Sequence, residues 1–346
     1  MSSFYGLSTG LLCSYKSTTS TTIHASVAGG GDGTSAGSPV TVTAAVASAG
    51  CNATIRLAAG TYTGTNAVKP GRTMLPETGA SVVATGWWVY PTGGGALVRL
   101  GGVDMTAGEC TVAGVDHLAL EPTGYARDGS KMGVIYCHSA QANQRQTVDG
   151  VNYSGVRAVM VAVAAAGYPV VAVPTGDAWG NDTAMTRITA AKAYLQATLG
   201  AKTGAVALVA ASMGAANALN WAKRNLASVA CAVGMIPVSD ISDIHTNNRG
   251  GLATSINAAH GTWSEATYGA ARNPTTFAAA GDLSGLPYLA YGAASDAVCL
   301  PATVEGVVTS IGGTASYVEV AGTHSNSALA NVPAADVVSF LDANQT

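Results

Sequence analysis

The sequence predicts an α/β fold for residues 116–346, a mostly parallel sheet flanked by helices, preceded over residues 1–115 by a β-rich module. Two observations carry this reading. From about residue 116, short apolar runs alternate with helix-length segments: Gly133 to Cys137, Pro169 to Val173, Ala205 to Ala210, Val229 to Met235, Pro287 to Tyr291 and Ser316 to Val320. Strands that alternate with helices form βαβ units, and strands covered on both faces read as unbroken apolar runs. Between the strands, Thr183 to Leu199 puts Met185, Ile188, Leu195 and Leu199 on one helical face, with Asn181 or Asp182 able to cap its start.

The second observation is the contrast with residues 1–115, which are rich in Thr, Ser, Gly, Ala and Val and lack a helical period. Runs such as Pro39 to Thr43, Ala53 to Leu57 and Ser81 to Ala84 lie between glycine-rich turns, and Gly29 to Gly33 reads as a flexible loop. That pattern predicts an antiparallel β-module that anchors, targets or oligomerises the chain.

Charge excludes several functions. Only 10% of the 346 residues are charged and the net charge is −3 without a basic cluster, so nucleic acid is not expected as a partner. The apolar run Ala158 to Val173 is broken by Gly167, Tyr168 and Pro169 and falls short of the roughly 18 residues of a membrane span. The opening residues carry no basic segment before their apolar patch, which makes a poor secretory signal. Cys13, Cys51, Cys110, Cys137, Cys231 and Cys299 never form a C-x-x-C pair, which removes zinc-ribbon and thioredoxin-like readings. Mostly free, inert thiols are expected, with a disulfide among the first three left open. There is no H-E-x-x-H, carboxylate cluster or phosphate loop, so neither metal nor cofactor is expected.

The segment with the most chemistry is Gly204-Ala-Val-Ala-Leu-Val-Ala-Ala-Ser212-Met-Gly-Ala-Ala-Asn-Ala-Leu219. An apolar strand runs through a tight turn bearing a serine and directly into a helix. Small neighbours suit a sharp turn, and the helix start aims N–H groups at the serine, as a developing oxyanion requires. A literal G-x-S-x-G at Gly33 to Gly37 has neither strand before it nor helix after it and reads as an accident of composition. A serine that merely caps the next helix is the bland alternative at Ser212.

Four segments in order make residues 116–346 resemble the α/β-hydrolase superfamily. They are the strand to Cys137 followed by His138-Ser139-Ala140, like an H-G-x oxyanion loop, and the turn at Ser212. The other two are Leu286 to Asp296, like the strand that delivers an acid, and Tyr317 to His324, a last strand followed by a histidine. The resemblance implies Ser212 as nucleophile, His324 as base, Asp296 as the acid that orients it, and the N–H groups of Met213 and Ala140 as an oxyanion hole. Ser139 stands where the family has glycine, a departure that could move the second donor by one residue. Asp240 or Asp243, after the strand ending at Met235, are alternative acids, and Asp296 could instead be an ordinary turn residue. His138 and Ser139 are expected at the substrate pocket, with His138 ordering its loop, and Trp179 either walls the acyl site or packs a helix start. Residues 240–281, with Trp263 and Tyr268, form the cap insert; they are too weakly apolar for a lipid-activated lid.

The function implied is hydrolysis of a carboxylic ester through an acyl-enzyme. A non-catalytic structural or adhesive protein with a hydrolase-like domain is the contrasting reading, and a cofactor-free haloperoxidase-type or lyase member of the fold is a third. The charge-poor Ala/Gly/Thr style resembles proteins of actinobacteria and their phages, and the opening module resembles a phage-tail component fused to a hydrolase. That likeness implies a cell-envelope or polymeric ester, and a virion, cell-surface or self-associating partner for the module. The elbow Ala210 to Gly214 departs from the G-Y-S-Q-G of phage mycolyl-arabinogalactan esterases.

Overall fold

The structure is a computed structural model describing residues 103–122, 125–150 and 152–345, with the strands Thr22–Ser26, Val40–Thr41, Thr54–Leu57, Gly60–Thr63, Thr73–Pro76, Val82–Thr85 and Ala96–Leu100. The chain divides into two compact units, Met1–Arg99 and Leu100–Thr346.

In the first unit the pairing is parallel, which corrects the antiparallel module expected. Thr22–Ser26 lies between Val40–Thr41 and Thr54–Leu57, and Thr73–Pro76 follows in the same sheet. Gly60–Thr63 pairs in parallel with Val82–Thr85 in another sheet. Parallel neighbours need an excursion between them rather than a tight turn. Here part of that excursion is a strand of the other sheet. β-prone runs between glycine-rich turns have the same composition whichever way the chain returns, so strand direction was not legible. Cys13, Cys51 and the Gly33–Gly37 motif lie outside the described residues.

The second unit begins ahead of the composition change at 115/116. Strand β1 (Val103–Val112) pairs antiparallel with β2 (Val115–Pro122) across Ala113 and Gly114, which have φ of 50° and 77°. Positive φ at both central residues is the geometry of the two-residue hairpin whose twist matches its strands. A hairpin toward the end of a sheet needs fewer apolar residues than a central strand, so β1 blended into the Thr- and Gly-rich stretch before it.

Six further strands follow: β3 (Val134–Cys137), β4 (Val170–Val173), β5 (Val206–Ala211), β6 (Val229–Met235), β7 (Tyr288–Ala293) and β8 (Ser316–Val320). The order across this unit is β8-β7-β6-β5-β3-β4-β2-β1, with β3 to β8 parallel and β2 antiparallel to β4. Side chains alternate between faces with period two. Ile135, Cys137, Val171, Val173, Leu208, Ala210, Ala232, Tyr288 and Ala290 therefore share one apolar cluster. The helices α2 (Asp182–Ala197), α3 (Met213–Arg224) and α7 (Pro301–Ile311) complete that cluster. The helix α1 (Ser154–Ala165) precedes β4, and the alternate residues Val134, Tyr136, Val170, Ala172, Ala207, Val209 and Tyr291 are equally buried. On α2 the expected face is inward, with Met185, Ile188 and Leu195 buried, Leu199 buried just past its end, and the Asn181 side chain accepting from the N–H groups of Thr183 and Ala184. The edge strand β8 departs from the unbroken apolar burial expected, since Ser316, Val318 and Glu319 are exposed.

Between β6 and β7 the insert carries α4 (Ile241–Thr246), α5 (Ala253–His260) and α6 (Pro274–Ala279). Ile241, Ile244, Leu252, Ile256 and Trp263 bury against Met213 and Ala216 of α3 in a second apolar cluster. The thiols of Cys137 and Cys231 are free, and burial pushes both up to about 12, which keeps them protonated and inert. No helix among the described residues is long and apolar enough to cross a membrane.

Candidate active site

The sheet places the chemistry. β3 is followed in sequence by β4 on one side, but in the sheet it lies between β4 and β5. The loops after β3 and β5 therefore diverge at a switch in strand order, where open α/β sheets leave a crevice at the carboxyl edge. Cys137 and Ala210 are register partners at that edge, so His138 to Ala140 and Ser212 emerge side by side.

Ser212 has φ 50° and ψ −120°, a conformation sparsely populated by any residue with a side chain. Strain of this kind costs on the order of 1–3 kcal/mol and persists only where surrounding bonds over-determine it. Those bonds are present: Ser212 N–H donates to Met235 O at 3.0 Å, and Ser212 O accepts from Val238 N–H at 3.0 Å and Ala215 N–H at 3.0 Å. The turn lifts the hydroxyl off the sheet edge while the chain enters α3.

The small residue after the turn has a measurable cause. A Cβ on Gly214 would stand 2.1 Å from Cys137 O and 2.8 Å from His138 O, both backbone atoms that cannot swing aside. Gly214→Ala should therefore either push the loop after β3 away or destabilise the fold by about 1–3 kcal/mol. Chemical denaturation read beside turnover would detect it, and a variant of wild-type stability and activity would contradict the contact.

The structure brings Ser212, His324 and Asp296 together across three separate loops. Ser212 Oγ–H donates to His324 Nε2 at 2.8 Å, and His324 Nδ1–H donates to Asp296 Oδ2 at 2.8 Å. The loops are laced to each other, since Ala294 N–H donates to Val320 O at 2.8 Å and Ser295 N–H to Gly322 O at 2.9 Å. Asp296 Oδ1 accepts from Val298 N–H and Cys299 N–H, each at 2.8 Å, which fixes the carboxylate plane. Access is graded: the Asp296 side chain is fully buried and that of His324 is 18% exposed. Asp240 instead caps α4, accepting from Asp243 N–H and Asn273 Nδ2, and Asp243 pairs with Arg249. Among the described residues neither bonds to His324, whose Nδ1 instead faces Asp296.

Met213 and Ala140 carry N–H groups with no acceptor among the described residues; Met213 follows Ser212 at the start of α3, and Ala140 lines the crevice onto which Ser212 opens. His138 is wholly buried; its Nδ1–H donates to Ser139 O at 2.7 Å and its Nε2 lies 3.2 Å from Thr175 Oγ1. Loss of hydration on burial lowers its pKa, so the ring stays neutral and orders the loop. Asn217 joins the same buried network, donating to Thr175 Oγ1 at 3.1 Å and accepting from Gly180 N–H at 2.6 Å. No motif announces Thr175 or Asn217; they are ordinary residues until the strands are paired.

The cavity holds about 300 Å³. Ser139 and Ala140 line it, and Ile236, Leu252, Val298, Leu329 and Tyr153 supply an apolar wall. Apart from the His324 imidazole, no lining side chain carries a charge at neutral pH. Trp179 is not among the lining residues: it is buried with α5 in the insert's apolar cluster, donating from Nε1 to Ser255 Oγ at 2.8 Å. A tryptophan whose indole N–H finds a partner inside a core is satisfied there. Asp296, Cys299 and His324 are of metal-ligating types and lie close together. Their atoms are already engaged: His324 and Asp296 bond each other, and burial and the Asp296 charge hold the Cys299 thiol protonated.

No family model matches the chain, and no curated protein matches it either. Solved structures do. An S-formylglutathione hydrolase from Agrobacterium tumefaciens superposes with a TM-score of 0.53 at 11% identity, covering 71% of this chain and 96% of its own. Carboxyl esterase 2 of the fungus Tuber melanosporum gives 0.51 at 15% identity, over 70% of this chain and 86% of its own. A thermostable esterase from Pseudomonas putida gives 0.50 at 16% identity, over 71% and 82%. Likeness at this level of identity establishes architecture, and with the strand order above it shows that the unit from Leu100 to Thr346 has the α/β-hydrolase fold.

Proposed function

We propose that this protein is a serine hydrolase of neutral carboxylic esters, acting through Ser212, His324 and Asp296. The observation that carries the proposal is the unbroken chain of two 2.8 Å hydrogen bonds from Ser212 Oγ through the His324 ring to Asp296. A serine hydroxyl is too weak an acid to ionise at neutral pH, and an imidazole with a free Nε2 lone pair supplies the base. As Ser212 Oγ attacks the ester carbonyl, its proton passes to His324 Nε2, and Asp296 stabilises the imidazolium that forms. The carbonyl oxygen becomes an oxyanion that accepts from Met213 and Ala140 N–H, donors each worth about 10²–10³ in kcat in comparable sites. His324 returns the proton to the departing alkoxide, leaving an acyl-Ser212. Water then attacks the acyl carbon as His324 takes its proton; the second tetrahedral adduct collapses by breaking the bond to Ser212 Oγ, which recovers its proton from His324 as the carboxylic acid leaves.

The small, uncharged cavity supports esters whose groups near the scissile bond are short and neutral. The neighbouring structures include a carboxyl esterase and an esterase by name, which supports the same reading. Residues 1–115 belong to the proposal as an anchoring or targeting module, on a cell envelope or virion; the proposed machinery takes no residue from them. A panel of p-nitrophenyl esters graded by acyl length should show turnover that is highest for short acyl groups and falls as the chain outgrows the cavity. Absence of turnover on every member, from a folded and monodisperse protein, would overturn the proposal.

A further inference from the structure

Three consecutive peptide N–H groups lie in the loop after β3, and their partners differ. Ser139 N–H donates to Gln146 Oε1 at 2.9 Å. Gln141 N–H donates to Asp177 Oδ1 at 2.7 Å. Ala140 N–H, between them, has no acceptor among the described residues. We infer that Gln146 and Asp177 are positioning residues that select Ala140 as the second oxyanion donor and fix the direction of its N–H; this rests on the ester-hydrolase reading of the same site.

The bonding around each residue supports the assignment. Gln146 is 1% exposed, and the same Oε1 accepts from Tyr136 Oη–H at 2.7 Å, so the amide oxygen is pinned from the β3 side. Asp177 Oδ2 accepts from Ser255 Oγ–H at 2.9 Å, and Ser255 Oγ in turn accepts from Trp179 Nε1–H, so α5 of the insert holds that carboxylate in place. Gln141 has φ 58°, in the left-handed region that a residue with a side chain visits only when held there. The Asp177 bond to its N–H is one such restraint. The Ser139–Ala140 peptide is planar and trans, so its C=O and N–H point in opposite directions. His138 Nδ1–H holds that C=O, which leaves the N–H facing away from His138. Neighbouring N–H groups that already have protein acceptors do not compete for the substrate oxygen, and a donor fixed before the reaction needs no reorganisation when charge develops. The serine at position 139, where the resemblance expects glycine, thus leaves the second donor at Ala140 rather than one residue along.

The test uses the full-length protein and a short p-nitrophenyl ester. Asp177→Ala and Gln146→Leu each remove one acceptor and should lower kcat about 10- to 100-fold, below the full loss of a donor, while KM stays within about threefold. Asp177→Asn and Gln146→Glu keep an acceptor oxygen and should recover most of the loss. A phenylboronic acid, whose adduct with Ser212 is tetrahedral, should lose affinity in the same two variants by a similar factor. Asp177 is only half-buried, so its variants keep the test decisive if Gln146→Leu fails to fold. Wild-type kcat and boronate affinity in Asp177→Ala would overturn the inference, and so would an equal loss in Asp177→Asn and Asp177→Ala. Failure of the wild-type protein to hydrolyse any ester would instead overturn the functional reading beneath it.

Discussion

Ser212→Ala is expected to abolish covalent labelling by a fluorophosphonate and to reduce ester turnover by on the order of 10⁴–10⁶, with the fold intact. The size follows from what is removed. The oxyanion donors and the cavity remain, and alone they leave only a residual acceleration over water. The fold should survive because, among the described residues, Ser212 Oγ bonds only His324, so stability should change by no more than about 1 kcal/mol. His324→Ala should produce a loss of similar size, and the double variant little more, because the two groups perform one proton transfer. The cheapest measurement is in-gel labelling of wild type and variant side by side. Labelling that persists in Ser212→Ala would move the nucleophile elsewhere, and wild type that never labels would favour a protein that binds without reacting.

How much of this site could be read in the sequence depends on what each residue's role requires. The turn at Ser212 was legible because an apolar strand ending in small residues before a helix is written in consecutive residues. The placement of His324 and Asp296 beside Ser212 was legible through order, each following a strand in the second half of the chain. The face of α2 and its Asn181 cap were legible because a helix repeats every 3.6 residues. Strand limits shifted by a residue or two, as at β5, which runs one residue further into Ala211 than the apolar run suggested.

What stayed hidden involves partners far apart in sequence. Gln146 lies in a short 3-10 turn (Gln144–Thr147) and looks like a solvated glutamine until the chain returns its amide to Ser139. Asp177 sits in a glycine-flanked loop, and only the position of α5 shows what its second oxygen holds. For Trp179 the sequence left a pocket wall and a packed helix start both open, since nothing local says which side of a loop a tryptophan faces. Strand direction in residues 1–115 failed for the same reason: pairing is a long-range property, and Thr-rich runs carry no signal for it.

The acid gives the sharpest remaining prediction. Asp296→Asn should lower turnover by about 10⁴ while leaving the fold and substrate binding nearly unchanged. The argument starts from the loop. Val298 N–H and Cys299 N–H both point at Oδ1, so an asparagine here must keep its carbonyl oxygen on that side. Its NH₂ group is then forced toward His324 Nδ1, where it can only donate. The ring accommodates it by moving its proton to Nε2, and Nε2 can no longer accept from Ser212 Oγ. The loss therefore comes from a tautomer, not from a missing charge alone, and an amide flip that would restore the wild-type arrangement would face NH₂ against two backbone donors. Asp240→Asn is the control. Asp240 caps α4 by accepting from Asp243 N–H, a task an asparagine oxygen performs as well, so its turnover should stay near wild type. Steady-state turnover of the two variants on one ester decides between the carboxylates. Near-full activity in Asp296→Asn with loss in Asp240→Asn would transfer the acid's role to Asp240 and require the α4 segment to approach His324 during catalysis.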